Sequence, residues 1–133
     1  LLNAIKVSAS GMRAQAERIR VIAENLANAN SLSSSPGKDP YRRKILTFRN
    51  ELDRAQDVRL VKVDKVRFDQ SEFGSRFDPD HPSADESGYV KLPNVNALIE
   101  AMDMREAQRS YEANLNVIEI ARAMMMRTIG LIN

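Results

Sequence analysis

Residues 3–28 read NAIKVSASGMRAQAERIRVIAENLAN, and their periodicity decides how the rest of the chain is read. Ile5, Ala9, Met12, Ala16, Ile19, Ala23 and Leu26 recur at alternating spacings of four and three, the a/d seam of a coiled coil kept for three heptads. One seam position is always bulky and the other always Ala, so a partner helix can approach closely over the alanines and be gripped at alternate layers. Arg13, Glu17, Arg20 and Glu24 alternate in sign beside the seam and read as a solvated flank, worth tenths of a kcal/mol per pair.

The far end repeats the pattern. Met104, Tyr111, Ile118, Met125 and Ile132 are each seven residues apart, and Ala107, Asn114, Ala121 and Thr128 follow the first four by three. Asn94, after Pro93, is the expected N-cap of this second helix. A further apolar line, Val117, Met124 and Leu131, lies about 100° from the first. A two-helix hairpin cannot bury two apolar lines on one member. The three consecutive methionines, 124–126, also point in three directions, which suits contact with more than one neighbouring helix.

All five prolines fall between residues 36 and 93, leaving both ends free of the strongest helix breaker. The region 31–93 also holds 23 of the 38 charges, with short apolar runs at 41–52, 58–68 and 73–77. Period-two alternation over 61–66 argues a half-buried strand, and SLSSSPGKDP at 31–40 reads as a linker. The expected fold is therefore mainly α. Long N- and C-terminal helices form an antiparallel coiled-coil hairpin around a small β-rich insertion, divided as 1–30, 31–93 and 94–133.

The composition excludes much chemistry. The chain has 133 residues, no Cys and one His, His81, so disulfide scaffolds, Cys-based zinc sites, thiol nucleophiles and every triad needing a second imidazole are out of reach. No catalytic, cofactor or metal residues are assigned. DPDHPSADE (78–86) fails the EF-hand register, with Ser83 where Gly is required and Tyr89 where the bidentate Glu belongs. The net charge of +2 is too small to mark a polyanion binder. Tyr41-Arg42-Arg43-Lys44 mixes aromatic and basic residues as single-strand nucleic-acid sites do, but Glu51, Asp53 and Asp57 follow at once. A nucleic-acid module or another helical adaptor is the alternative function. No run approaches the 18 apolar residues of a membrane span, so no direct membrane insertion is expected, and no cleaved secretory signal is visible. The sequence starts at Leu1, so an initiator Met is expected to have been lost. The asparagines that close the first helix have two readings: C-capping by Asn30 with Asn25 and Asn28 in solvent, or bonds from Asn25 and Asn28 to a neighbouring subunit.

Glu24-Asn25-Leu26-Ala27-Asn28-Ala29-Asn30, followed by Tyr41-Arg42, resembles the N-terminal signature of the bacterial flagellar rod and hook axial proteins. Residues 104–114, MREAQRSYEAN, with Val117-Ile118 and the Met-rich end, are similar to the C-terminal signature of that family. HPSADESGYVKLPNV (81–95) looks like the stretch typical of one proximal-rod member. The Ser-rich loop 31–40 departs from the short turn of many relatives. The resemblance implies a non-enzymatic structural protein, exported by the flagellar type III apparatus without a cleaved signal. It implies polymerisation in the periplasm, with itself and other rod proteins, into the proximal rod, the drive shaft of motility. An adapter protein would link that rod to the basal ring and export gate, and neither cofactor, nucleic acid nor small-molecule substrate is implied. Asn25, Asn28, Tyr41, Arg42, Arg109, Asn114 and Met124 are the family-motif and subunit-contact candidates that follow from it.

Overall fold

The proline-free ends run as two long helices, and the charged middle supplies four strands. A computed structural model describes residues 1–132, the side chain of Ile132 excepted. The elements are α1 (Leu2–Ala27), β1 (Lys44–Asp53), β2 (Val58–Phe68), β3 (Gly74–Phe77), β4 (Tyr89–Leu92) and α2 (Ala97–Ile132). At 1.5 Å per residue, 26 and 36 residues make helices of about 39 and 54 Å. No helix is long and apolar enough to cross a membrane.

The expected class needs correction. Helix takes 47% of the chain and strand 22%, in two two-stranded antiparallel sheets, so the fold is mixed α/β and not a helical hairpin with a small insertion. The physical reason lies in β1 and β2, which are 10 and 11 residues long and pair as a two-stranded sheet of their own. The chain divides into two compact units, one of Leu1–Arg20, Leu46–Lys65 and the chain from Met104 on, the other of Val21–Ile45 and Val66–Asp103.

In the first unit, the deepest side of α1 carries Ser8, Ser10 and Ala14, which are 6%, 2% and 3% exposed. Their small size lets a strand come close. Ser10 Oγ accepts the N–H of Val61 at 3.2 Å, and Lys6 pairs with Asp53 at the far end of β1. On α2, Ala107 and Ala121 are buried, while Met104, Tyr111, Asn114, Ile118 and Met125 are half-buried. Leu60 is the one large apolar residue of this unit buried among the described residues.

In the second unit, β3 pairs with β4 in the register Gly74↔Leu92, Ser75↔Lys91, Arg76↔Val90 and Phe77↔Tyr89. Strand β4 was not foreseen, because four residues are too few to show a period. Gly88 precedes it at φ +85°, in the left-handed region where Gly has no steric penalty. Asp85 shapes the turn by accepting the N–H groups of Ser87 and Tyr89, each at 2.9 Å. The N-cap of α2 is also corrected: Asn96, not Asn94, accepts the N–H groups of Leu98 and Ile99 at 3.1 and 3.3 Å.

Candidate assembly surfaces

Large apolar side chains of α2 remain exposed on the first unit. Val117, Ile120, Met124, Met126, Ile129 and Leu131 are 43% to 87% exposed, and they include the whole line Val117, Met124 and Leu131. Covering one such side chain is worth roughly 1.5–3 kcal/mol. A neighbour that covers several of them can therefore offset an association cost of about 4–15 kcal/mol.

The α1 seam lies on the shallow side of the helix. In the first unit Ile5, Ala9, Met12 and Ile19 are half-buried and Ala16 is exposed. In the second unit Ala23 is exposed and Leu26 half-buried. Ala9, Met12 and Ala16 line an open groove of about 350 Å³ together with Tyr111 and Ile118 of α2. Apart from Arg13, the groove is lined by apolar and aromatic side chains. Ile132 of the seam has its side chain outside the described residues.

Of the motif asparagines, Asn25 is buried and Asn28 and Asn114 are half-buried. Asn25 is 1% exposed, and its carboxamide accepts from Lys44 N–H (2.9 Å) and Tyr41 O–H (2.7 Å) while donating to Lys44 C=O (2.9 Å). Asn28 donates to the Glu24 carbonyl at 2.9 Å and accepts from Ser31 Oγ, closing the last turn of α1. Asn114 donates to the Ser110 carbonyl at 3.0 Å. Arg109 and Met124 are exposed.

Arg42 and Arg43 of the basic run are engaged within the second unit. Arg42 donates to the carbonyls of Asp69 (2.7 Å) and Ser71 (3.2 Å) and lies 4.2 Å above the Phe73 ring centre. Arg43 pairs with Glu100 and, at 3.2 Å, with Asp69. Burial works against the Arg43 charge, but Glu100 and Asp69 outweigh it and its pKa is raised. Asp69 is held below the usual carboxylate range, chiefly by the N–H of Ser71 and further by Arg43. Burial, then the nearby Glu24 and Glu100, pushes the Tyr41 hydroxyl up.

Sequence reasoning missed Glu100, Asn94 and Asp69. Asn94 accepts the N–H of Arg43 at 2.7 Å and donates to the Asp69 carbonyl at 2.9 Å. The available signal was a Glu in the first turn of a helix within a chain rich in arginine just before a strand, which is too common to single out.

Two family descriptions match the chain: "Flagella basal body rod protein" over residues 5–31 and "Flagellar basal body rod FlgEFG protein C-terminal" over residues 86–131. The chain is 50% identical to the flagellar basal-body rod protein FlgC of Agrobacterium fabrum over 129 residues, covering 97% of this chain and 93% of that one. The chain belongs to the FlgC family of flagellar basal-body rod proteins. It is also 38% identical to FlgC of Salmonella typhimurium and 37% identical to FlgC of Escherichia coli O157:H7, each over 131 residues, 98% of this chain and 97% of the relative. As a FlgC-family member the chain is a structural component of the flagellar basal body. The first match covers most of α1, and the second covers α2 up to residue 131, including the exposed Val117, Ile120, Met124 and Leu131.

Proposed function

We propose that this chain polymerises, with copies of itself and with other rod proteins, into the proximal rod. The observation that carries the reading is the row of apolar side chains left uncovered along α2, Val117, Ile120, Met124 and Leu131 among them. A monomeric protein seldom keeps so long an apolar face open to water. A shaft that transmits torque gains shear resistance from helices packed side by side through many small contacts. The role is then assembly and not catalysis, with the seam of α1 and the open face of α2 as the contact surfaces. The same reading places the protein in the periplasmic part of the basal body. It would arrive there through the flagellar type III export apparatus without a cleaved signal and meet an adapter protein at the base of the rod.

The test is complementation of a strain lacking the gene, scored by swimming and by cryo-EM of basal bodies. Met124→Glu, exported at the normal level, is expected to give no rod, while Lys62→Ala on a solvated strand swims. Normal rods with Met124→Glu would overturn the reading.

A further inference from the structure

Two of the three largest fully buried side chains among the described residues are polar, Asn25 and Glu100, and neither lies on the contact surfaces proposed above. Both belong to the second unit. Asn25 presents an acceptor to the N–H and a donor to the C=O of the same residue, Lys44. That double bond pair is what a residue on a neighbouring antiparallel strand would offer, and Lys44 is the first residue of β1. A side chain in the last turns of α1 thus stands in for a strand partner where β1 begins. The same carboxamide reaches Glu100 Oε2 at 3.5 Å, in the first turn of α2. Glu100 pairs in turn with Arg43, whose own carbonyl accepts the N–H of Asp69 at 2.8 Å just past β2.

We propose that Asn25, Arg43 and Glu100 form a conformational latch that starts β1 and ties the end of α1 to the first turn of α2, so that the second unit opens as a whole when one member is lost. The physics favours all-or-none behaviour. A buried polar network is stable only when each group has its partners, and removing one strands the others away from water. Few apolar side chains are buried in this unit to compensate, chiefly Val21, Ile22 and Val90. The family-signature residues Asn25 and Tyr41 then specify the fold of the subunit and are not contacts between subunits.

Amide exchange on the full-length, unassembled chain tests this. Asn25→Ala is expected to speed exchange at Lys44, at Val90 and at the amides of 100–103 together, by about ten- to a hundred-fold. Should Asn25→Ala not fold, Glu100→Gln, which keeps the shape but replaces one of the two oxygens that accept from Arg43 and Asn25 with a donor, is expected to produce the same joint acceleration at smaller amplitude. In a double-mutant cycle read from thermal unfolding, Asn25→Ala and Glu100→Gln are expected to be strongly non-additive. Faster exchange at Lys44 alone, or additive effects, would overturn the latch. Unchanged exchange with loss of assembly only would also overturn it and return Asn25 to a subunit contact.

Discussion

Gly11 of α1 faces Asn114 of α2 so closely that a methyl group on Gly11 would lie 2.8 Å from Asn114 Nδ2. Each residue is a poor choice for a helix interior on its own: Gly costs about 1 kcal/mol relative to Ala, and Asn competes for backbone bonds. Together they are explained, since the glycine opens the space and Asn114 folds back on the Ser110 carbonyl beside it. Gly11→Ala is therefore expected to destabilise the first unit although it raises helix propensity. In an Asn114→Ala background the sign reverses, and Gly11→Ala stabilises by about 1 kcal/mol. Thermal melts of the four proteins check it; stabilisation by Gly11→Ala in both backgrounds would show that the close approach costs nothing.

Acid should loosen the second unit through Asp69. Its folded-state carboxyl is held below the ordinary range by the Ser71 N–H and by Arg43. A group shifted this way contributes its full stabilisation above the unfolded-chain value near 4, and loses it as pH falls through the lower folded value. Melting temperature is expected to drop below about pH 4, and Asp69→Asn to flatten that limb. An unchanged acid limb in Asp69→Asn would assign the loss to other carboxylates.

Tyr41 sets the opposite limb. Its hydroxyl is half-buried and donates to Asn25 Oδ1 at 2.7 Å, and its raised pKa means the neutral form is the one the fold favours. That stabilisation is complete below the unfolded value near 10 and disappears as pH climbs through the higher folded value. Tyr41→Phe is expected to cost about 1 kcal/mol at neutral pH and to remove the part of the alkaline loss that belongs to this group. A pH-independent difference between the two proteins above pH 10 would contradict the assignment.

Gly88 carries two constraints at once. It sits at φ +85°, and a Cβ there would come within 2.9 Å of Phe77 Cε1 and 3.2 Å of Pro79 Cβ. Phe77 is already set edge-on to Tyr89, with ring centres 5.3 Å apart. Gly88→Ala is expected to destabilise by about 1–3 kcal/mol through backbone strain and displacement of that ring. His81→Ala, which loses only the acceptor for the Ser83 N–H and hydroxyl, is expected to do less harm. Denaturant melts of both variants decide, and a greater loss with His81→Ala would point to a role for the imidazole beyond its turn.

What was legible in the sequence follows from how each feature is encoded. The long helices show because Pro is confined to 36–93 and apolar residues recur at seven, a signal summed over many turns. The line Met104, Tyr111, Ile118 and Met125 is half-buried on α2, whereas the equally regular line on α1 contains the exposed Ala16 and Ala23. The deep side of α1 is built from Ser8, Ser10 and Ala14, residues that carry no hydrophobic signal and matter only because a strand lies against them. The same holds for Asn25 and Glu100, which look solvent-loving in isolation. Their burial depends on partners 19 and 75 residues away, and periodicity within one element cannot report such a partner. The mixed α/β class was missed for a related reason, since the sheet formed by β1 and β2 is fixed by pairing between segments.

Ala14 and Ala16 are two residues apart on α1 and give the sharpest separation between folding and assembly. Ala14 is 3% exposed, packed where α1 meets the strand carrying Val61 and Val63. Ala14→Leu adds three carbons at a buried contact between α1 and β2, and displacing the strand there costs about 1–3 kcal/mol. Ala16 is exposed and borders the groove shared with Tyr111 and Ile118. Leucine there meets water in the isolated subunit, so Ala16→Leu is expected to melt within about 0.5 kcal/mol of the parent. In the rod the same side chain fills the groove that a neighbouring helix is proposed to enter, so rods fail to form and cells do not swim. The two variants thus predict opposite combinations: low stability for Ala14→Leu, and normal stability without assembly for Ala16→Leu. Normal swimming with Ala16→Leu at parental protein level would remove the groove from the contact surface and leave the open face of α2 to carry assembly alone.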